Sequence, residues 1–335
     1  MQIEKIDFVI TWVDDNDPKW LKEFESCAAK EKCPITNDPC RFRDWGTLKY
    51  WFRGVEKFAP WVNKIFFVTY GHLPEWLDTT SPKLVVVKHE DFIPSEYLPT
   101  FNSNCIEFFF NKIEGLSGKF VYFNDDTFLI DYVSPERFFR NGLPCDVGWL
   151  QLCIYPRRYG MFGLSVHLAM DLIRAHFKKK EAMSKKHSKW YSFSRLTTSM
   201  NNLKYFWLPD FPGFINHHLP QAYLKNIYED VWLHCKEDLQ RTCSNKFRTY
   251  GDVCHWIIRY WQLASGNFTP CSVKDGLSYN ITEDAIDSIK DCIEHQKRKM
   301  VCLNDSEDTH QFEEKKQTIL NVFNKILPNK CSFEL

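Results

Sequence analysis

The sequence has 335 residues with 43 basic and 43 acidic side chains, so its formal net charge is zero. A hydrophobic content of 44% and a charged content of 26% are typical of an ordinary globular protein and exclude wholesale disorder. The balanced charge argues against nucleic acid as a partner, since such proteins usually carry a basic excess. The length predicts one large domain or two closely packed ones.

The sequence offers no evident membrane span or leader. No segment approaches the roughly 18 apolar residues that a spanning helix needs. The first residues carry Glu4, Lys5 and Asp7 and lack the apolar core of a signal peptide. We therefore expect a cytoplasmic protein, with its 13 cysteines mostly reduced.

The first 140 residues alternate between strand and helix patterns. Apolar strand-like runs occupy 6–13, 64–70, 83–88 and 119–123. Helical spacing of apolar residues follows residue 19 and recurs at 47–58 and 103–113. This alternation predicts an α/β fold with a mainly parallel sheet flanked by helices, so we take 1–140 as an α/β half.

Residues 141–335 have a mainly helical pattern and form the second predicted half. Helices are expected at 220–239, 252–264 and 313–327. Lysines crowd the segment 176–190, which we interpret as a solvated insertion. Contact of this segment with an anionic membrane surface is the alternative.

Two acidic sites suit a hard metal ion. Asn124, Asp125 and Asp126 follow the strand at 119–123, and ligands of open α/β sheets bind at the carboxyl ends of strands. Asn304 and Asp305 form the second site. Carboxylate and amide oxygens suit Mg²⁺ or Mn²⁺ together with substrate phosphates, although a solvated turn explains such acids equally well.

A histidine and a pair of cations complete the candidates. Pro220 favours a helix start, which would place His218 at a helix N-terminus, where the dipole lowers the imidazole pKa and suits a general base. A capping or core histidine is the alternative. Lys49 and Arg53 share one helix face and could bind phosphate oxygens or simply face solvent. Neither a P-loop nor a dinucleotide-binding glycine motif is present.

Four ordered blocks of this sequence resemble the signature regions of the Stealth family. The blocks are 6–14 (IDFVITWVD), 41–77 continuing through 98–104 to 123–128 (FNDDTF), 218–256, and 302–305 with the ending 327–334. The resemblance covers nearly the whole chain, and it implies a Rossmann-like, GT-A-like fold in which the helical half completes the active site. Trp45 departs from the pattern, where a small or polar residue is more usual.

The family includes bacterial capsular polysaccharide phosphotransferases and the animal enzyme that adds GlcNAc-1-phosphate to lysosomal glycoproteins. The resemblance therefore implies a transferase of phosphorus-containing groups. Its donor would be a UDP-sugar such as UDP-GlcNAc, bound by residues 1–140, and its acceptor a hydroxyl of an oligo- or polysaccharide, which can be lipid-linked. UMP would leave and a phosphodiester would form. The setting implied is the bacterial cytoplasm, with the inner face of the membrane as an alternative.

The resemblance also implies roles for individual residues. Asp7, His218 and Arg248 would be catalytic, with Asp7 an essential acid, His218 the base and Arg248 a phosphate contact. Asp126, Asp125, Asp305 and Asn304 would hold Mg²⁺ or Mn²⁺, and Trp12 would shape the nucleotide pocket. Lys49 and Arg53 are our own candidates for the diphosphate.

Two other functions fit the same residues. A metal-dependent glycosyltransferase would break the bond to the anomeric carbon and release UDP. A non-catalytic nucleotide-sugar-binding subunit of a capsule assembly complex would need no base. The nucleotide released separates all three functions.

Overall fold

A computed structural model describes residues 5–31, 43–155, 160–305 and 311–335. Arg41, which opens the second family block, lies outside the described residues. The strands within these ranges are β1 Asp7–Thr11, β2 Ile65–Thr69, β3 Leu84–Lys88, β4 Lys119–Phe123, β5 Thr127–Leu129, β6 Phe139–Arg140, β7 Leu143–Asp146, β8 Gln221–Leu224, β9 Thr269–Pro270, β10 Gly276–Asn280 and β11 Met300–Asn304. The α-helices are α1 Pro18–Lys30, α2 Leu48–Phe58, α3 Ser103–Phe108, α4 Gly160–His176, α5 Lys179–Lys185, α6 His187–Trp190, α7 Leu196–Leu203, α8 Lys225–His234, α9 Lys236–Ser244, α10 Trp256–Ala264, α11 Ile286–Glu294 and α12 Phe312–Ile326.

The central sheet has five strands in the order β3-β2-β1-β4-β8. The first four are parallel, and β8 is antiparallel to β4. This confirms the α/β fold with a mainly parallel sheet. The carboxyl ends of β1 and β4 therefore lie at one edge, where sites of open α/β sheets form.

The sheet separates two apolar cores because successive strand residues point to opposite faces. On β1, Val9 belongs to one core, whereas Phe8 and Ile10 belong to the other. The Val9 core contains side chains of α3, α4, α8 and α10. The second core contains side chains of α2, α11 and α12, so each face of the sheet is covered by helices.

Strands from both predicted halves share sheets. Strand β8 comes from the second half and pairs with β4, and β11 pairs antiparallel with β5. Nine of the helices described above and five of the strands lie in the second half. The boundary at residue 140 stays a prediction, since these pairings cross it.

The predicted helix at 220–239 is wrong in its first turn. Residues Gln221–Leu224 form strand β8, and helices α8 and α9 follow it. Ala222 and Tyr223 are buried in opposite cores, which is strand periodicity. Pro220 directly precedes an edge strand, a position that proline tolerates as well as a helix start. The other predicted strands and helices are present with shifted ends; the helix expected at 103–113 ends at Phe108.

Arg53 joins α2 to the C-terminal segment. Its Nε donates to Oε1 of Glu334 at 2.6 Å, and its Nη2 donates to Oε2 at 2.7 Å. Nη1 donates to the carbonyl oxygen of Leu327 at 2.9 Å, and both charged side chains are buried. The guanidinium therefore joins α2 to the C-terminal segment, and a contact of Arg53 with a diphosphate stays a prediction.

We predict that Arg53→Lys lowers the free energy of unfolding by about 2 kcal/mol, because an ammonium cannot reproduce the bidentate contact. Urea unfolding measures this change, and the KM for the donor should stay at the wild-type value. If the Arg53→Lys protein unfolded like wild type and its KM for the donor rose tenfold, Arg53 would be assigned to the substrate site.

No helix within the described ranges is long and apolar enough to cross a bilayer. The eleven cysteines in these ranges are all free thiols.

Candidate active site

The turn between β4 and β5 holds Asp126 in a fixed position. The amide of Leu303 on β11 donates to the Asp126 carbonyl oxygen at 2.8 Å. The thiol of Cys302 donates to Oδ2 of Asp126 at 3.4 Å, and Thr127 pairs with Cys302 in the β5–β11 ladder. Strand β11, which belongs to the second half of the chain, thus holds the acidic turn in place.

Strand β8 brings His218 to the same turn. Tyr122 on β4 pairs with Gln221 on β8, and continuing this antiparallel register places His218 across from the residues after β4. Nε2 of His218 lies 3.0 Å from Nδ2 of Asn124 and 3.6 Å from Oδ2 of Asp126. His218 precedes a strand, so sheet register rather than a helix dipole accounts for its place beside the acids.

A contact with Asn124 orients the His218 ring. An amide nitrogen can only donate, so Nε2 of His218 accepts with its lone pair when it is bonded to Nδ2 of Asn124. A neutral imidazole with an acceptor nitrogen is the form that a general base needs.

Asp126 fits the role of a metal anchor. Its Oδ1 is buried and makes no hydrogen bond with any described residue, although a buried carboxylate oxygen is normally satisfied. Ligand atoms of Asp126, His218 and Cys302 lie within 4.8 Å of one another. Burial, followed by the charge of Asp126, raises the pKa of Cys302 well above its usual range, so this thiol stays protonated and donates. Since Nε2 of His218 is bonded to Asn124, Asp126 is the best-suited ligand, with Asp125 beside it.

Negative charge accumulates around this turn. Desolvation and then the charge of Asp126 raise the pKa of Asp125 to about 7, although its side chain keeps contact with solvent. Desolvation, followed by the charges of Asp14 and Asp44, also raises the pKa of Asp15. Asp44 contributes to both shifts. Asp14 and Asp15 follow β1 as Asp125 and Asp126 follow β4, so the same strand-end rule could have found them in the sequence.

A cavity of about 430 Å³ opens beside His218. Its other lining residues are Gln151, Ile154, Tyr155, Phe162, Ile215, Asn216 and Trp256. Aromatic faces combined with a few amide groups suit a ligand that has both apolar and hydroxyl-bearing sides, such as a sugar ring.

A buried ion pair holds the backbone that forms one wall of this cavity. Nε and Nη2 of Arg259 donate to Oδ2 and Oδ1 of Asp146 at 2.7 and 2.8 Å. Nη1 of Arg259 donates to the carbonyl oxygen of Ile215 at 2.8 Å, and both charged side chains are at most 1% exposed. Asn216, next in the chain, accepts from the hydroxyl of Tyr260 at 2.7 Å. This network has no signature in the sequence, since an isolated Asp and an isolated Arg in apolar segments form no motif.

We predict that Asp146→Asn lowers the free energy of unfolding by about 3–5 kcal/mol at pH 7, because the charge of Arg259 is left buried and unpaired. Burial raises the pKa of Asp146, but the charges of Arg259 and His217 outweigh burial and hold it well below its usual range. This stabilisation is therefore complete above the ordinary carboxyl pKa of about 4 and is lost as pH falls towards the folded-state pKa.

Urea unfolding at pH 7 and at pH 3 checks both statements. Asp291→Asn is the control, since Asp291 is exposed and should leave the unfolding curve close to that of wild type. An Asp146→Asn protein as stable as this control would show that the ion pair does not hold the cavity wall.

Asp7 lies at the opposite end of β1 from this site. It pairs with Phe120 at the amino side of the sheet and is completely buried. Its carboxylate accepts from Nδ2 of Asn63 at 2.6 Å and from the amides of Lys64 and Ser117 at 3.1 and 2.7 Å. Asp7 therefore joins two loops in this structure, and its role as a catalytic acid stays a prediction.

Asp305 is paired with a cation. Nη2 and Nε of Arg43 donate to Oδ1 and Oδ2 of Asp305 at 2.8 Å each, and Nε1 of Trp45 donates to Oδ2 at 3.0 Å. Asn304 donates to Oδ1 of Asn280 at 2.9 Å. A metal site shared by Asp305, Asn304 and Asp126 stays a prediction. The hydrogen bond from Nε1 gives Trp45, the departure from the family pattern, a role in holding Asp305.

The remaining candidates lie near the carboxyl edge of the sheet or on α2. Trp12 follows β1 and stacks on Phe67 at 5.8 Å between ring centroids. Nζ of Lys49 lies 5.2 Å from the ring centroid of Tyr50 on α2. Arg248 is exposed and donates to the hydroxyl of Ser103, the first residue of α3. Their contacts with substrate stay predictions.

The sequence is similar to known proteins over nearly its whole length. Residues 4–29 match the family model of Stealth protein conserved region 1, and residues 41–145 match that of conserved region 2. A capsular polysaccharide phosphotransferase of Streptococcus pneumoniae is 42% identical over 99% of this chain and 98% of its own. The chain belongs to the Stealth family. The whole length takes part, so the described site lies within the region of similarity.

Two further relatives have related names. A receptor polysaccharide phosphotransferase of Streptococcus gordonii is 38% identical over 99% of this chain and 100% of its own. An exopolysaccharide phosphotransferase of Lactiplantibacillus plantarum is 35% identical over 98% of this chain and 96% of its own. Full-length identity at this level makes the Stealth chain a transferase of phosphorus-containing groups.

Among solved structures, an active-site mutant of LgtC matches 94% of this chain and 95% of its own with 10% identity and a TM-score of 0.40. A match at this TM-score carries no argument about fold or reaction.

Proposed function

We propose that this Stealth protein transfers a sugar-1-phosphate from a UDP-sugar to a hydroxyl group of a capsular or exopolysaccharide acceptor. UMP is released and a phosphodiester forms. The observation that carries the proposal is the pairing of His218 with Asp126, whose buried Oδ1 makes no hydrogen bond within the described residues, beside a 430 Å³ cavity. A base, an anchor for cations and room for a sugar are what such a transfer needs.

The acceptor hydroxyl loses its proton to Nε2 of His218 as its oxygen attacks the β-phosphorus of the donor. The bond between the β-phosphorus and the oxygen shared with the α-phosphate breaks, and UMP leaves with that oxygen. Asn124 keeps the lone pair of Nε2 directed towards the acidic turn until the acceptor hydroxyl replaces its amide. Transfer of this kind depends mainly on positioning and electrostatics. The paired strands β4 and β8 supply the positioning.

The acidic groups at the strand ends would repel a diphosphate unless a cation were present. Asp126, with Asp125 beside it, would hold Mg²⁺ or Mn²⁺, which supplies neutralisation of the diphosphate and of the charge that develops during transfer. Asp126, as the residue that would hold the cation, would place the charged part of the donor at the carboxyl edge of β4. The adjoining cavity, with Trp256 and Tyr155 in its wall, receives a sugar ring.

We predict that Asp126→Asn abolishes Mn²⁺ binding, because it removes the carboxylate that anchors the cation, whereas His218→Gln preserves it. Isothermal titration with MnCl₂ measures both affinities. An Asp126→Asn protein with wild-type affinity would contradict the metal assignment, and loss of Mn²⁺ binding in His218→Gln would make the histidine a ligand instead of the base.

We predict that His218→Gln lowers kcat by about 10²–10⁴-fold with little change in donor affinity, because only proton transfer is lost. His295→Gln is the matched control, since His295 is exposed on the protein surface. Turnover of His218→Gln equal to that of the control would remove the histidine from the reaction.

Identification of the released nucleotide tests the reaction itself. The protein is incubated with UDP-sugars, MgCl₂ and short capsule-type oligosaccharides, and the products are analysed by mass spectrometry. We expect UMP and an acceptor heavier by a sugar phosphate. Release of UDP with an acceptor heavier by a sugar alone would show a glycosyltransferase instead.

A further inference from the structure

Helix α7 buries polar side chains and exposes apolar ones. Its buried residues are the polar Ser199, Asn201 and Asn202. Leu196, Met200 and Leu203 are spaced four and three residues apart, so they share one helix face, and they are 57%, 59% and 56% exposed. A surface helix of a globular protein normally buries its apolar face. Helix α7, by contrast, presents its apolar side outward.

The reversed orientation is fixed by hydrogen bonds. Asn202 accepts from the amide of Leu150 at 2.9 Å and donates to the carbonyl oxygens of Gly148 and Trp190 at 2.7 and 3.1 Å. Asn201 donates to the carbonyl oxygen of Leu150 at 2.7 Å. The buried amides satisfy backbone that would otherwise be unpaired, so α7 cannot rotate its leucines inward without losing these bonds.

Aromatic side chains extend the apolar face at both ends of α7. Phe193 is 99% exposed before the helix, and Phe206 and Trp207 are 71% and 77% exposed after it. We call these three residues, together with Leu196, Met200 and Leu203, the α7 face. They make up six of the seventeen large apolar side chains that are exposed in the described part of the chain. Such concentration marks an interaction surface.

Positive charge is concentrated in the part of the sequence that contains the α7 face. Residues 178–207 contain eight Lys or Arg and a single acid, Glu181, in a chain whose net charge is zero. Lys178, Lys180, Lys185 and Lys186 are exposed. Nζ of Lys179, by contrast, is buried and donates to the carbonyl oxygen of Tyr205 at 2.7 Å, which fixes the lysine-rich helix α5 to the end of α7. The cations and the apolar face therefore belong to one rigid unit.

We propose that the α7 face and the exposed lysines of α5 dock on the headgroup region of an anionic lipid bilayer. Apolar and aromatic side chains enter the interface while the exposed lysines contact acidic headgroups, which is the composition of helices that lie in a membrane surface. A second copy of this chain fits poorly, because pairing two such faces would bring like charges together.

The docking surface is connected to the candidate active site. The segment from Leu150 to Ile154 begins at the amides of α7 and ends in the wall of the cavity beside His218. Four residues span at most about 14 Å, so the cavity wall lies within that distance of the α7 contact. Ile154 is itself 70% exposed. Docking would therefore bring the cavity close to acceptors carried on lipid, and this consequence alone rests on the proposed function.

Flotation of the full chain with vesicles tests the docking. We expect binding to vesicles of phosphatidylglycerol and phosphatidylcholine, and loss of binding on pure phosphatidylcholine or in high salt, where charges are screened. Leu203→Gln should weaken binding by about tenfold or more, since a leucine buried in the interface is replaced by an amide. Leu233→Gln is the matched control, because Leu233 is 77% exposed on α8, outside the α7 face.

Equal binding of Leu203→Gln and the control would overturn the proposal, as would absence of binding to either vesicle. A concentration-dependent dimer that Leu203→Gln dissociates, in a protein that does not float with vesicles, would assign the α7 face to a second copy instead. Transfer to a free oligosaccharide should be unchanged in Leu203→Gln. Failure of the docking and failure of the proposed reaction are thus observed separately.

Discussion

The antiparallel pairing of β8 with β4 is the constraint on which the rest of the site depends. Strand β4 ends at the acidic turn, and β8 begins just after His218, so their register decides which side chain faces Asp126. A shift by one residue would turn the neighbouring side chains to the opposite face of the sheet. Ala222 and Tyr223, buried in opposite cores, resist such a shift. Apolar burial thus fixes the distance between the base and the carboxylate.

Two buried ion pairs support this arrangement at different levels. Arg259 and Asp146 hold the backbone at Ile215, three residues before His218, and so keep this part of the cavity wall in place beside the base. Arg53 and Glu334 tie the C-terminal segment to α2, which covers the other face of the sheet. Arginine suits both places because its planar fork satisfies two carboxylate oxygens while a further N–H reaches a main-chain carbonyl. Each of these arginines thus joins separate elements of the fold.

The sequence predicted the elements and the first acidic turn, because apolar periodicity and strand-end position are local signals. Asp126 and His218 were both identified, but the reason for their meeting was not. The helical spacing of Leu224 and Ile227 led to a predicted helix that included the residues of β8. The sequence does not reveal that β4 has a free edge with which these residues pair. The position of Asp7 at the amino end of β1 was likewise not evident, since a motif does not tell at which end of its strand a side chain lies.

A double-mutant cycle of Asp126→Asn and His218→Gln measures the central claim most directly, with kcat/KM for donor and acceptor as the readout. The two side chains lie 3.6 Å apart and act in one transition state, so we predict strong non-additivity, with the double variant about as slow as the slower single variant. Losses that multiply would mean that the residues act independently. That result would contradict a single site built by β4 and β8.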